Sequence, residues 1–135
     1  MRNNKPANHQ PVNTDLKKRT KDFALRVIKL VESLPNTRTS DVLGKQLLRS
    51  GTSVGANYRA ACRARSAAEF QAKMGIVEEE ADESCFWIEL LADSKQVKSA
   101  RVAELLKEAG ELTAIAVTSI KTSRLNAGGK AKKRS

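Results

Sequence analysis

Arg49-Ser50-Gly51-Thr52-Ser53-Val54-Gly55-Ala56-Asn57-Tyr58-Arg59 carries two glycines four residues apart, inside a stretch whose apolar spacing is helical. Each glycine costs a helix interior about 1 kcal/mol relative to alanine. A helix that bears two has a use for backbone without Cβ, and close approach of another segment is the use that fits. That segment belongs either to the same bundle or to a second subunit. Arginine at both ends sets positive charge beside the contact.

Working outward, Leu43, Leu47, Val54, Tyr58 and Ala61 form a narrow stripe, which predicts a helix over Ser40–Ala64. Before it, Phe23, Val27, Leu30 and Leu34 recur at steps of three and four, predicting a helix over Leu16–Leu34 that Pro35 and Asn36 end. After it, Ser66-Ala-Ala-Glu69 is a capping box. It opens a third helix over Ala67–Asp93, with Phe70, Met74, Val77, Ala81, Cys85, Ile88 and Ala92 inward. Ser99 is placed to cap a fourth, with Val102, Leu105, Leu106, Ala109, Leu112, Ala116 and Ile120 inward. Four amphipathic helices on short loops predict an all-α, antiparallel up-down-up-down bundle over residues 15–125. Residues 1–14, polar with Pro6 and Pro11, read as a disordered tail, and residues 126–135 (NAGGKAKKRS) as a flexible basic one.

The chain has 135 residues, enough for one domain with one core. With aromatics at 4%, that core is built of Leu, Ile, Val and Ala. Cys62 and Cys85 lie in predicted helices without metal-ligand spacing and read as small thiols in a reducing compartment. No apolar run approaches the roughly 18 residues that span a membrane, and residues 1–14 hold no secretory h-region, so the expected location is cytoplasmic. Chemistry is thin. The only histidine, His9, lies in the N-terminal stretch, and the acidic run Glu78–Glu83 lacks the Glu-x-x-His of di-iron bundles. Ser50, Thr52 and Ser53 have no base nearby in sequence. No cofactor, metal or enzymatic activity is expected.

Charge is divided unevenly across a net of +10. Residues 36–65 hold six bases against one acid, residues 66–93 one base against eight acids, and residues 94–135 ten bases against three acids. On the second helix Lys45, Arg49, Arg59 and Arg63 fall within a sector of about 80°, opposite the Leu47 and Val54 face. Such a stripe serves either as a solvated face that pairs with the acidic third helix or as a surface for phosphate backbones. The third helix adds a second anomaly: Phe86, Trp87 and Leu90 lie about 100° or more off its core stripe. Large apolar groups outside a core mark an oligomer interface or a bundle that packs more widely than the stripe.

RSGTSVGANYRAACRARSAAEF and the later KMGIVEEEADESCFWIELL closely resemble the family named after proteins encoded in 23S rRNA intervening sequences, also called the four helix bundle protein family. The likeness spans Phe23 to Leu125. It implies an antiparallel four-helix bundle assembled as a homopentameric ring. It also implies relatedness to accessory proteins of diversity-generating retroelements, which bind a reverse transcriptase and nucleic acid. Most members have no established biochemical role. Arg49, Ser50, Gly51, Thr52, Ser53, Gly55, Asn57, Tyr58 and Arg59 match the family string, for helix packing and surface identity. Ala60 replaces a frequent glutamate and Glu79 a frequent lysine, which alters surface charge and leaves the fold untouched. The expected activity is electrostatic binding of RNA or DNA through Lys45, Arg49, Arg59 and Arg63. The rival is a protein-interaction scaffold or accessory subunit.

Overall fold

The computed structural model describes the backbone of residues 9–134 and the side chains of residues 16–128. Four helices follow in order: α1 (His9–Glu32), α2 (Arg38–Cys62), α3 (Ala67–Asp93) and α4 (Ser99–Arg134), with no strand among the described residues. Consecutive helices pack side by side, α2 on α3 and α3 on α4 most extensively, and α1 meets α4 along a thin seam. The result is an antiparallel four-helix bundle. Its ends are fixed by sequence chemistry. Thr37 caps α2 by accepting from the Ser40 N–H at 3.0 Å, and Ser66 caps α3 by accepting from the Glu69 N–H at 3.0 Å.

Two helices run further than their apolar patterns. α1 begins at His9, so residues 9–14 are helical where a tail was expected; residues 1–8 lie outside the described residues. Pro11 sits in the first turn, where its missing N–H costs nothing. α4 continues through residues 126–134, also expected as a tail. The lysines, arginine and alanine there are good helix formers, and propagation from an established helix needs no new nucleus.

The core contains Phe23, Leu47, Met74, Ile88, Leu91 and Leu112 in full burial. Leu91 was not on the expected α3 stripe. Leu34, Leu43, Phe70 and Cys85, expected inward, are only partly buried and pack against the core from its margin. Cys62 and Cys85 are free thiols.

The glycines of α2 face α1. A Cβ on Gly51 would lie 2.8 Å from Val27 Cγ2 and 2.9 Å from Cγ1, and one on Gly55 would lie 3.3 Å from Thr20 Oγ1. Gly44 does the same higher up, against Leu34 and Val31. Their absent side chains therefore let α1 and α2 close on one another. The opposite side of α2 meets α3 through a hydroxyl pair. Ser50 and Ser84, both fully buried, bring their Oγ atoms to 2.9 Å, and Ser84 also donates to the Glu80 carbonyl at 2.8 Å. The thin α1–α4 seam is bridged by Arg19, which grips Glu108 with two bonds of 3.0 and 2.6 Å and reaches Glu111 at 3.0 Å.

Both loops at one end are joined through Gln96, whose Oε1 accepts from Thr37 Oγ1 at 2.6 Å and Ser40 Oγ at 2.9 Å. α3 ends there with the Gln96 N–H on the Leu91 carbonyl at 2.9 Å and Lys95 at φ 68°, a left-handed position usually held by glycine.

Candidate nucleic-acid interface

The four cations of the α2 stripe do not act alike. Lys45 Nζ lies 3.3 Å from Asp41 on its own helix. Arg49 turns toward α3, bonding the Glu80 carboxylate at 3.1 and 3.2 Å and also Glu83. The Glu80 hydrogen bond, aided by the negative charge of both carboxylates, raises its already high pKa further. Arg49 is thus tied to the bundle's acidic helix. Arg59 and Arg63 are exposed, and among the described residues neither pairs with a carboxylate.

Arg59 instead joins two lysines that the α2 stripe did not anticipate. Because α1 runs antiparallel to α2, Lys17 and Lys21 come level with Arg59, and the three line a groove of about 390 Å³ between the helices. Its remaining lining is small: Thr20, Ala24, Thr52, Gly55 and Ala56. No carboxylate lines it among the described residues, and neither lysine has an ion pair there. The signal was present in sequence: a hairpin turning at Pro35–Thr37 sets Lys17 and Lys21 opposite Arg59. Finding it needed the rotation of α1 about its axis, which Gly51 on Val27 and Gly55 on Thr20 fix.

Ser53 and Asn57 lie elsewhere, and both bond within α2. Ser53 Oγ donates to the Arg49 carbonyl at 2.7 Å, and Asn57 Nδ2 donates to the Ser53 carbonyl at 2.9 Å. Tyr58 is buried in the core, and desolvation pushes its phenol above its ordinary range, with the neighbouring Cys62 adding to the effect. On α3, Phe86 is 51% exposed and stacks edge-on against Trp87 with ring centroids 5.0 Å apart. Trp87 and Leu90 are half-buried. Trp87 packs against the margin of the core and donates its indole N–H to Glu83 at 3.0 Å. Of the expected interface trio, Phe86 projects furthest. Among the described residues no cluster of His, Cys, Asp and Glu is placed to hold a metal, and no helix is long and apolar enough to cross a membrane.

Comparison with known proteins bears on the whole body of the bundle. Residues 13–118 match the family model described as 23S rRNA-intervening sequence protein. No curated protein matches the chain. Among solved structures, the chain is similar to a protein of unknown function from the S23 ribosomal protein family of Bacteroides thetaiotaomicron VPI-5482. That likeness is 34% identical, covers 81% of this chain and 97% of the other, and has a TM-score of 0.75. With the matched segment running from within α1 to within α4, the chain belongs to the 23S rRNA-intervening sequence protein family.

Proposed function

We propose that this protein is a non-enzymatic, self-associating bundle that binds nucleic acid electrostatically through its α1–α2 face. The observation that carries the reading is the group Lys17, Lys21, Arg59 and Arg63, exposed and without carboxylate partners among the described residues. Arg49 and Lys45 have their own carboxylates and contribute less than the α2 stripe suggested. Binding of this kind is led by phosphate contacts and falls steeply with salt.

Self-association is assigned to the outer side of α3, where Phe86 is exposed beside Trp87 and Leu90. Five copies in a ring is the assembly that the family resemblance implies. The test is light scattering coupled to size exclusion at low and high salt, with the 260/280 ratio recorded. A mass near five times 14.8 kDa, with nucleic acid that leaves at high salt, is the expected result. A nucleic-acid-free monomer at low salt overturns both parts. Phe86→Ala is expected to weaken the oligomer at low concentration while leaving helicity intact.

A second reading, a scaffold for a protein partner such as a reverse transcriptase, draws on Leu25 and Ile28, which are 54% and 39% exposed on α1. Partners that persist in a pull-down after nuclease treatment favour it.

A further inference from the structure

We infer that the α1–α2 groove is the seat of a single polynucleotide strand, with phosphates on Lys17, Lys21 and Arg59 and one sugar–base unit on the small-residue floor between them. This rests on the nucleic-acid reading above and specifies its site and the form of nucleic acid it takes.

Three features of the groove lead there. Its volume of about 390 Å³ falls in the range of sites that take a single small-molecule unit. Its cations stand on both helices, Lys17 and Lys21 on α1 and Arg59 on α2, with no lining carboxylate among the described residues to neutralise them. Its floor is kept open by side-chain size alone. Gly55 lets α2 approach Thr20 closely, and beside that contact Ala24, Thr52 and Ala56 leave unfilled a trough that one larger side chain would occupy. A cationic rim over a floor of methyl and methylene groups matches an anionic backbone carrying an apolar-faced unit.

The same features disfavour a duplex. The axes of packed helices stand roughly 8–10 Å apart, so a cylinder as wide as a duplex cannot enter the trough between them. A duplex carries its phosphates on the outside of a much wider cylinder and would touch Lys17, Lys21 and Arg59 at the rim without entering. Among the described residues the groove lining contains no aromatic ring to stack a base, so binding depends on charge and fit and tolerates any sequence. An acidic peptide would meet the rim charges equally well, and a poly-glutamate competitor tests for it.

The test is Ala56→Leu in the full chain, which fills the trough without changing charge. Ala56 is exposed, and leucine is a good helix former, so the fold is kept. Ala24→Met fills the trough from the α1 side and serves as the second variant. The probes are a fluorescent single-stranded oligouridylate of twelve nucleotides, an RNA duplex of the same length and a poly-glutamate competitor. Both variants are expected to weaken single-strand binding by about tenfold while leaving duplex binding within about twofold of the unmodified protein. Unchanged single-strand affinity in both variants, with the protein still binding RNA in a salt-dependent way, removes the groove and leaves the electrostatic reading standing. Equal weakening of strand and duplex also overturns the single-strand assignment. If Ala56→Leu leaves strand affinity unchanged but weakens the binding of poly-glutamate itself, the groove belongs to an acidic peptide. An unmodified protein that binds neither RNA at low salt overturns the groove and the nucleic-acid reading together.

Discussion

The two flanks of α2 are built from opposite materials. The flank toward α1 is lined by Gly44, Gly51 and Gly55, has no carboxylate around Arg59 among the described residues, and opens into a groove. The flank toward α3 joins by the Ser50–Ser84 hydroxyl pair and by Arg49 held between Glu80 and Glu83. Arg49 and Arg59 start from one stripe of one helix and end in different roles, because the helix each leans toward differs in charge. A cation becomes structural or available according to its neighbour's sequence, and α1 supplies more lysine where α3 supplies glutamate.

The largest expected effect breaks the glycine flank. Gly51→Leu places a side chain where a Cβ alone already comes within 2.8 Å of the fully buried Val27, so α1 must move away. A loss of about 3 kcal/mol or more is expected in chemical denaturation, above the usual overpacking cost because the clash involves branched core carbon. Gly75→Ala is the control on α3: nothing lies within 4 Å of its Cβ, and a gain of about 0.5–1 kcal/mol is expected from helix propensity. If both substitutions destabilise alike, close approach is not what Gly51 provides.

The serine flank is expected to respond less. Ser84→Ala removes the hydroxyl that meets Ser50, but Ser50 keeps a bond to the Leu47 carbonyl at 3.3 Å. A cost of about 1 kcal/mol is expected, and Ser50→Ala with Ser84→Ala should cost less than the two single changes added together, since no hydroxyl is then left half-satisfied. Additive losses in that double-mutant cycle would mean the pair is not coupled.

At the loop end, Lys95→Gly is expected to stabilise by about 1 kcal/mol, because a residue at φ 68° gives up its Cβ penalty there. An unchanged melting temperature would place the strain elsewhere.

Much of this architecture is legible in the chain. Ser66 with Glu69, Pro35 with Asn36, and the recurrence of Phe23, Val27 and Leu30 mark helices at the right places. Helix ends that extend past the core, at His9 and through residues 126–134, are not legible from apolar periodicity, since the sequence there carries no apolar repeat. The fate of each stripe cation was legible only in part. The acidity of the third helix announced that some arginine would be paired, but choosing Arg49 over Arg59 requires knowing which flank of α2 each neighbour covers. Trp87 shows the same limit: its angle put it outside the core, and the bundle's width brings its ring to the core's margin.

The smallest stability effect is the sharpest test of the comparison, because its two halves should separate. Arg49→Ala removes a surface pair with Glu80 and Glu83. Its side chain is 49% exposed, so the loss should stay well under about 1 kcal/mol, and RNA affinity should hardly change. Arg59→Ala removes no ion pair seen among the described residues, so stability should stay level. RNA binding should nevertheless weaken, with the slope of log affinity against log salt falling by roughly 1 for the lost phosphate contact. Measured side by side, denaturation should single out Arg49 and salt titration should single out Arg59. If both arginines lower the salt slope equally, the Glu80 and Glu83 pairing gives way to phosphate, and the whole stripe from Lys45 to Arg63 is one surface. If neither does, phosphate contact is left to Lys17, Lys21 and the basic end of α4.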